Sequence, residues 1–177
     1  MKLSNRQSIV LVALALLSGC LTARADDVVR YPLLNGSKFP IARAVEVPAN
    51  TTLVFHSGMT PAPKDPAAPA GSAAYWGDTK TQALSAFARI KESLDAMGLG
   101  FADVVKMTVF LVADPASADG RLDFKGFMDA YTQYYGTPEQ PNLPARSAVQ
   151  VAGLAAAGML VEIEVVLARP LRKAPAK

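Results

Sequence analysis

Cysteine and histidine are almost missing from this chain: 177 residues hold one of each, Cys20 and His56. One cysteine excludes an internal disulfide, and a zinc site built from several Cys and His ligands has too few donors. A Ser-His-Asp triad would have to use His56, and the chain has no G-x-S-x-G elbow to present the serine. Long apolar runs are also missing. The longest candidate, Ile9 to Leu17, is too short to span a bilayer as a helix.

That short run has a different reading. Lys2 and Arg6 precede it, and two processing signals follow. Leu17-Ser18-Gly19-Cys20 fits a lipoprotein signal that would lipidate Cys20. Ala23-Arg24-Ala25 fits ordinary cleavage before Asp26. Residues 1–25 are therefore expected to be an export signal, giving a periplasmic protein, either soluble or lipid-anchored through Cys20. Three of the eighteen basic residues lie in this segment, which has no acid. The rest of the chain is balanced, with fifteen basic and fifteen acidic residues. A balanced charge does not support nucleic-acid binding. Residues 169–177 are basic and contain Pro170 and Pro175, the composition of a tail.

Between these ends the chain has the length of one domain. Residues 26–38 form a lead-in and 39–168 the domain. Ile41 to Val47 and Thr51 to His56 read as two strands of a hairpin turning at Pro48-Ala49-Asn50. Pro61 to Gly71 is proline-rich and reads as a surface loop. Asp78 or Thr79 caps a helix whose buried face is Ala83, Phe87, Ile90, Leu94 and Met97, ended by Gly98. Val104 to Val112 alternates as a strand, with Val105, Met107, Val109 and Leu111 on one face. A second helix is expected from Arg121 to Tyr135, burying Phe124, Phe127 or Met128, Tyr131 and Tyr134 or Tyr135. Two last strands follow, joined by the turn at Gly153 to Gly158. The order β-β-α-β-α-β-β gives an α+β domain, a mixed sheet with two helices on one face. The other face would carry mixed groups and calls for self-association.

Those last strands carry the main functional signal. Arg146 and Glu162 are charges inside apolar strands, which costs several kcal/mol unless they are paired or line a solvated cleft. The residues alone leave both readings open: an ion pair with Glu162 or Glu164, or a ligand site. His56 reads as a strand residue with a satisfied ring, and the aromatic row of the second helix as core with one phenol available to a cleft.

Five segments together resemble the Rid (RidA, YjgF-like) family of reactive-intermediate deaminases. They are Pro40 to Val45, Phe55-His56-Ser57-Gly58, Asp103 to Phe110, Pro144-Ala145-Arg146-Ser147 and Val161-Glu162-Ile163-Glu164. The resemblance implies a chorismate-mutase-like fold and a homotrimer with sites in the clefts between subunits. It implies hydrolysis of 2-imino acids, or their enamine tautomers, to 2-keto acids and ammonia, with no cofactor and no metal. Arg146 would bind the substrate carboxylate, Glu162 would orient the water, and Ser57 and Gly58 would line the pocket. The chain departs from the family pattern at three positions. Ile41 stands where a tyrosine is usual, no asparagine occurs near Met128, and Ala148 replaces a cysteine. Tyr31 and Tyr75 are the phenols available as substitutes, and the loop from Pro61 to Gly77, with Trp76 as an apolar anchor, is longer than usual. Two alternatives fit the same resemblance: a non-catalytic trimer that binds a small carboxylate, and a holdase-like protein.

Overall fold

The computed structural model describes residues 28–117 and 119–169. The expected export signal with Cys20, and the tail beyond Arg169, lie outside the described residues.

The sheet has the order β3-β6-β4-β5, formed by Thr52–Met59, Val161–Arg169, Val104–Val112 and Ala145–Val151. β4 and β5 run parallel, and the other pairs are antiparallel. Parallel neighbours need a crossover. That crossover contains helix α3, Phe124–Tyr131, while α2, Thr79–Ala96, connects β3 to β4. Both helices cover one face, which is the expected mixed sheet. Alternation in β4 and β6 decides which face. Met107, Val109 and Leu111, with Val161, Ile163, Val165 and Leu167, are buried under the helices. Phe87 of α2 lies among Phe101, Phe127, Tyr131, Tyr134 and Tyr135, so the centre of the core is aromatic. Removing such a ring would cost about 3–5 kcal/mol.

Several elements follow the sequence expectation closely. Asp78 caps α2 by accepting from the Thr81 N–H at 2.8 Å. Ala83, Phe87, Ile90 and Leu94 are buried, Met97 is half-buried, and Gly98 has φ 65°. This is the left-handed conformation in which glycine ends helices.

The expected hairpin does not form. β2, Ala44–Glu46, pairs instead with β1, Val29–Tyr31, in a separate two-stranded sheet, and β3 pairs with β6. β2 has little to bury, since Ala44 and Glu46 are exposed. The lead-in supplies a stronger tether. The Arg30 guanidinium donates to the carbonyls of Leu143 at 2.7 Å, Val104 at 2.9 Å and Ala102 at 2.9 Å. The Tyr31 hydroxyl donates to Glu46 at 2.6 Å. Residues 28–38 are thus held to the domain through β1, Arg30 and Tyr31. At the other end, Arg169 pairs with Thr52 and completes β6, so it belongs to the sheet and not to the tail. The second helix is also shorter than expected. A bridge between Ala113 and Leu122 holds the chain extended before it, and Asp123 caps it through the Gly126 N–H. Phe124 falls on its exposed side, outside the buried stripe.

The long loop contains a short helix, α1, Ala73–Trp76. It is pinned to the β5–β6 turn from two sides. The buried Trp76 indole N–H donates to the Ala157 carbonyl at 2.8 Å. The buried Gln82 amide donates to the Gly77 and Gly158 carbonyls, each at 3.0 Å, and accepts from the Leu160 N–H at 2.7 Å. All four bonds fall on backbone groups of the loop or the turn, and those of Gly77 and Leu160 belong to buried residues.

Candidate functional site

The register across three strands fixes where the two suspect charges lie. Arg146 stands opposite Met107, whose side chain is in the core. Glu162 stands opposite Phe110, three residues further along the same regular stretch of β4. An odd separation along a strand means opposite faces. Arg146 therefore points to the helix side at the sheet edge, and Glu162 to the open side. Glu164 shares the open face. The ion-pair reading of Arg146 with either glutamate is thereby overturned within one chain.

Arg146 is half-buried against aromatic rings. Its guanidinium carbon lies 4.3 Å from the Tyr131 ring centre, 5.2 Å from Phe127, 5.4 Å from Phe39 and 5.8 Å from Phe124. Such stacking is worth from ~0.5 to about 2 kcal/mol as water is excluded. Nη1 is buried with no hydrogen-bond partner among the described residues. Burial lowers the Arg146 pKa, and the Tyr131 phenol beside it works in the opposite sense. Burial also pushes the Tyr131 phenol well above its ordinary range. The Tyr131 hydroxyl donates to the Pro40 carbonyl at 2.8 Å, which ties the chain around Phe39 to α3. Phe39 and Phe124 stack at 6.3 Å, both are partly exposed, and they form the rim of this site. The aromatic residues of α3, Phe124, Phe127 and Tyr131, thus serve core and site together. The part played by Phe39 was not singled out in the sequence, because one aromatic before a proline carries no periodic signal.

Next to Phe39 is a groove of about 350 Å³ whose walls include Tyr31, Ile41, Ala42 and Leu143. Ile41 and Tyr31 meet there, while Tyr75 packs edge-on against Trp76. Of the two substitute phenols, Tyr31 is the one beside Ile41. Met128 and Ala148 are partly buried against the core.

Glu162 lies against the backbone of Gly58. Ser57 and Gly58 form a β-bulge, since His56 pairs with Val165 and Met59 with Ile163. Two residues of β3 thus oppose Glu164 alone, the arrangement that commonly re-aims groups near sites. His56 points away, toward α2. Its Nδ1 lies 2.7 Å from the Ser57 carbonyl and its Nε2 lies 2.9 Å from Ser93 Oγ. A carbonyl only accepts, so Nδ1 carries the hydrogen and donates. This matches the expected satisfied ring. The open face also holds Lys106, whose ammonium donates to Ser147 Oγ at 2.9 Å, and a cleft of about 180 Å³ between Phe55 and Glu164.

Residues 37–169 match the family described as Endoribonuclease L-PSP. The chain belongs to this family. Its members include the Rid proteins that the motifs resemble. A 2-iminobutanoate/2-iminopropanoate deaminase of Capra hircus is 41% identical over 90 residues, which is 51% of this chain and 57% of that protein. The chain thus spans little more than half the length of the deaminases it matches. The YjgF gene product of E. coli aligns with a TM-score of 0.51 and 28% identity, over 75% of this chain and 91% of that one. E. coli TdcF with bound serine gives 0.50 and 30%, over 79% and 94%. The chorismate-mutase-like fold is therefore the fold of this L-PSP family member.

Proposed function

We propose that this protein hydrolyses 2-imino acids, or their enamine tautomers, to 2-keto acids and ammonia. Arg146 binds the carboxylate and Glu162 orients the water. The observation that carries this reading is the buried Arg146 Nη1, a donor without an acceptor inside an aromatic ring set. A planar guanidinium grips a carboxylate through two parallel hydrogen bonds. The deaminase relatives and the serine-bound structure, whose ligand carries such a carboxylate, support the assignment.

In the reaction a water oxygen adds to the C=N carbon while its proton passes to the Glu162 carboxylate. The carboxyl returns that proton to the nitrogen, the hydroxyl proton of the carbinolamine follows by the same route, and the C–N bond breaks to release ammonia as the C=O forms. Arg146 and Glu162 face opposite sides of the sheet. A second copy must therefore bring its open face to the Arg146 side, and a homotrimer with its sites between subunits satisfies that need. Ser57 and Gly58 would line the same cleft beside Glu162. Export through residues 1–25 belongs to this proposal, and the mass of the exported protein distinguishes a lipidated Cys20 from a free Asp26 terminus.

The test is the decay of 2-iminopropanoate or 2-iminobutanoate made in situ by an amino-acid oxidase. The protein should speed that decay, and Arg146→Ala should abolish the effect. An unchanged rate in Arg146→Ala removes the assigned role. A wild type that does not speed the decay, but is stabilised by carboxylates through Arg146, is a binding protein.

A further inference from the structure

We infer that Gly58 is a positioning residue for Glu162: the space left by its missing Cβ is the seat of the Glu162 carboxylate. A Cβ built on Gly58 would overlap Glu162 Oε1 and stand 2.9 Å from its Cδ and 3.1 Å from its Cγ. These three atoms are the nearest to that position outside the flanking residues, so a methyl group there meets Glu162 first. The bulge creates the seat, because its extra residue brings Gly58 as well as Ser57 opposite Glu164. Gly58 is not among the glycines with positive φ, so backbone conformation does not demand glycine there. Gly158 shows the contrast. A Cβ there would strike the Gly71 carbonyl, which is backbone and cannot swing aside. At Gly58 the obstacle is the far end of a flexible side chain. Alanine would therefore displace the carboxylate and leave the strand in place.

This inference rests on the reading of Glu162 as the water-orienting acid, and it adds what aims that acid. Among the described residues no cation pairs with Glu162, so its direction is set by shape. Seated on bare backbone, the carboxylate has fewer positions to sample than it would have in solvent, and a fixed position is what proton transfer needs.

Two measurements on Gly58→Ala test it. In the imine assay kcat should fall about tenfold or more, a part of the roughly 10²–10⁴-fold that a positioned acid–base group contributes. KM should change less than kcat, because Arg146 is untouched. Glu162→Asp in the Gly58→Ala background should then cost less than it does in wild type, since the shorter side chain avoids the methyl. Thermal melting reads the seat without activity. Gly58→Ala should lower Tm when Glu162 is present and leave it unchanged in Glu162→Ala. Equal Tm losses in both backgrounds, or an unchanged kcat in Gly58→Ala, overturn the inference. A wild type without imine hydrolysis defeats the deaminase reading instead, and the melting cycle then still decides whether the seat exists.

Discussion

Arg146 is held by rings that stack on its flat cation and leave Nη1 without an acceptor among the described residues. Lysine keeps the charge and loses both the plane and the fork. Arg146→Lys is therefore expected to raise KM for a 2-imino acid about tenfold, or ~1.4 kcal/mol. Steady-state kinetics checks this, and a KM within twofold of wild type would show that charge alone suffices. Arg146 and Glu162 were legible in the sequence because each interrupts an apolar strand. Their opposite orientation was not. Alternation is local to each strand, whereas the relation between β5 and β6 passes through β4, and no spacing in the chain encodes that register. Phe39 was hidden for a related reason, since its partners Phe124 and Arg146 lie far away in sequence.

At the scale of elements, α2 and β4 were readable from periodicity and capping because their instructions are local. The first strands were not. The Ile41-to-His56 segment has turn residues between two β-prone runs, and a hairpin satisfies every local rule. β6 and the Arg30 tether outcompete it, and both are distant. The cap of α2 provides a test with a defined sign. Hydrogen bonds from Thr81 hold the Asp78 carboxyl below its ordinary pKa. A carboxyl lowered in the folded state stabilises above its unfolded pKa, and the gain is lost as pH falls through the folded value. Asp78→Ala should thus cost about 1 kcal/mol at neutral pH, with the gap to wild type closing below about pH 4. Urea melts at both pH values measure it, and a gap independent of pH would mean that the carboxylate is not the cap.

For the whole molecule, the open face of the sheet is the unfinished part. Phe55 is 77% exposed, and Leu53 and Val149 stand beside Lys106, Glu162 and Glu164 on the same side. Sedimentation should find an oligomer, and Phe55→Glu should shift it to monomer. Imine hydrolysis should disappear with the shift, although Arg146 and Glu162 both remain. A fully active monomer would contradict a site shared between copies. The pinned loop adds a property of a different kind. Trp76 is the single tryptophan of the chain, buried, with its indole N–H engaged by Ala157. Its fluorescence therefore comes from one place, the junction of the long loop with the β5–β6 turn. The protein carries a built-in optical probe of that junction, and a red shift in its emission would signal the loop lifting from the β5–β6 turn.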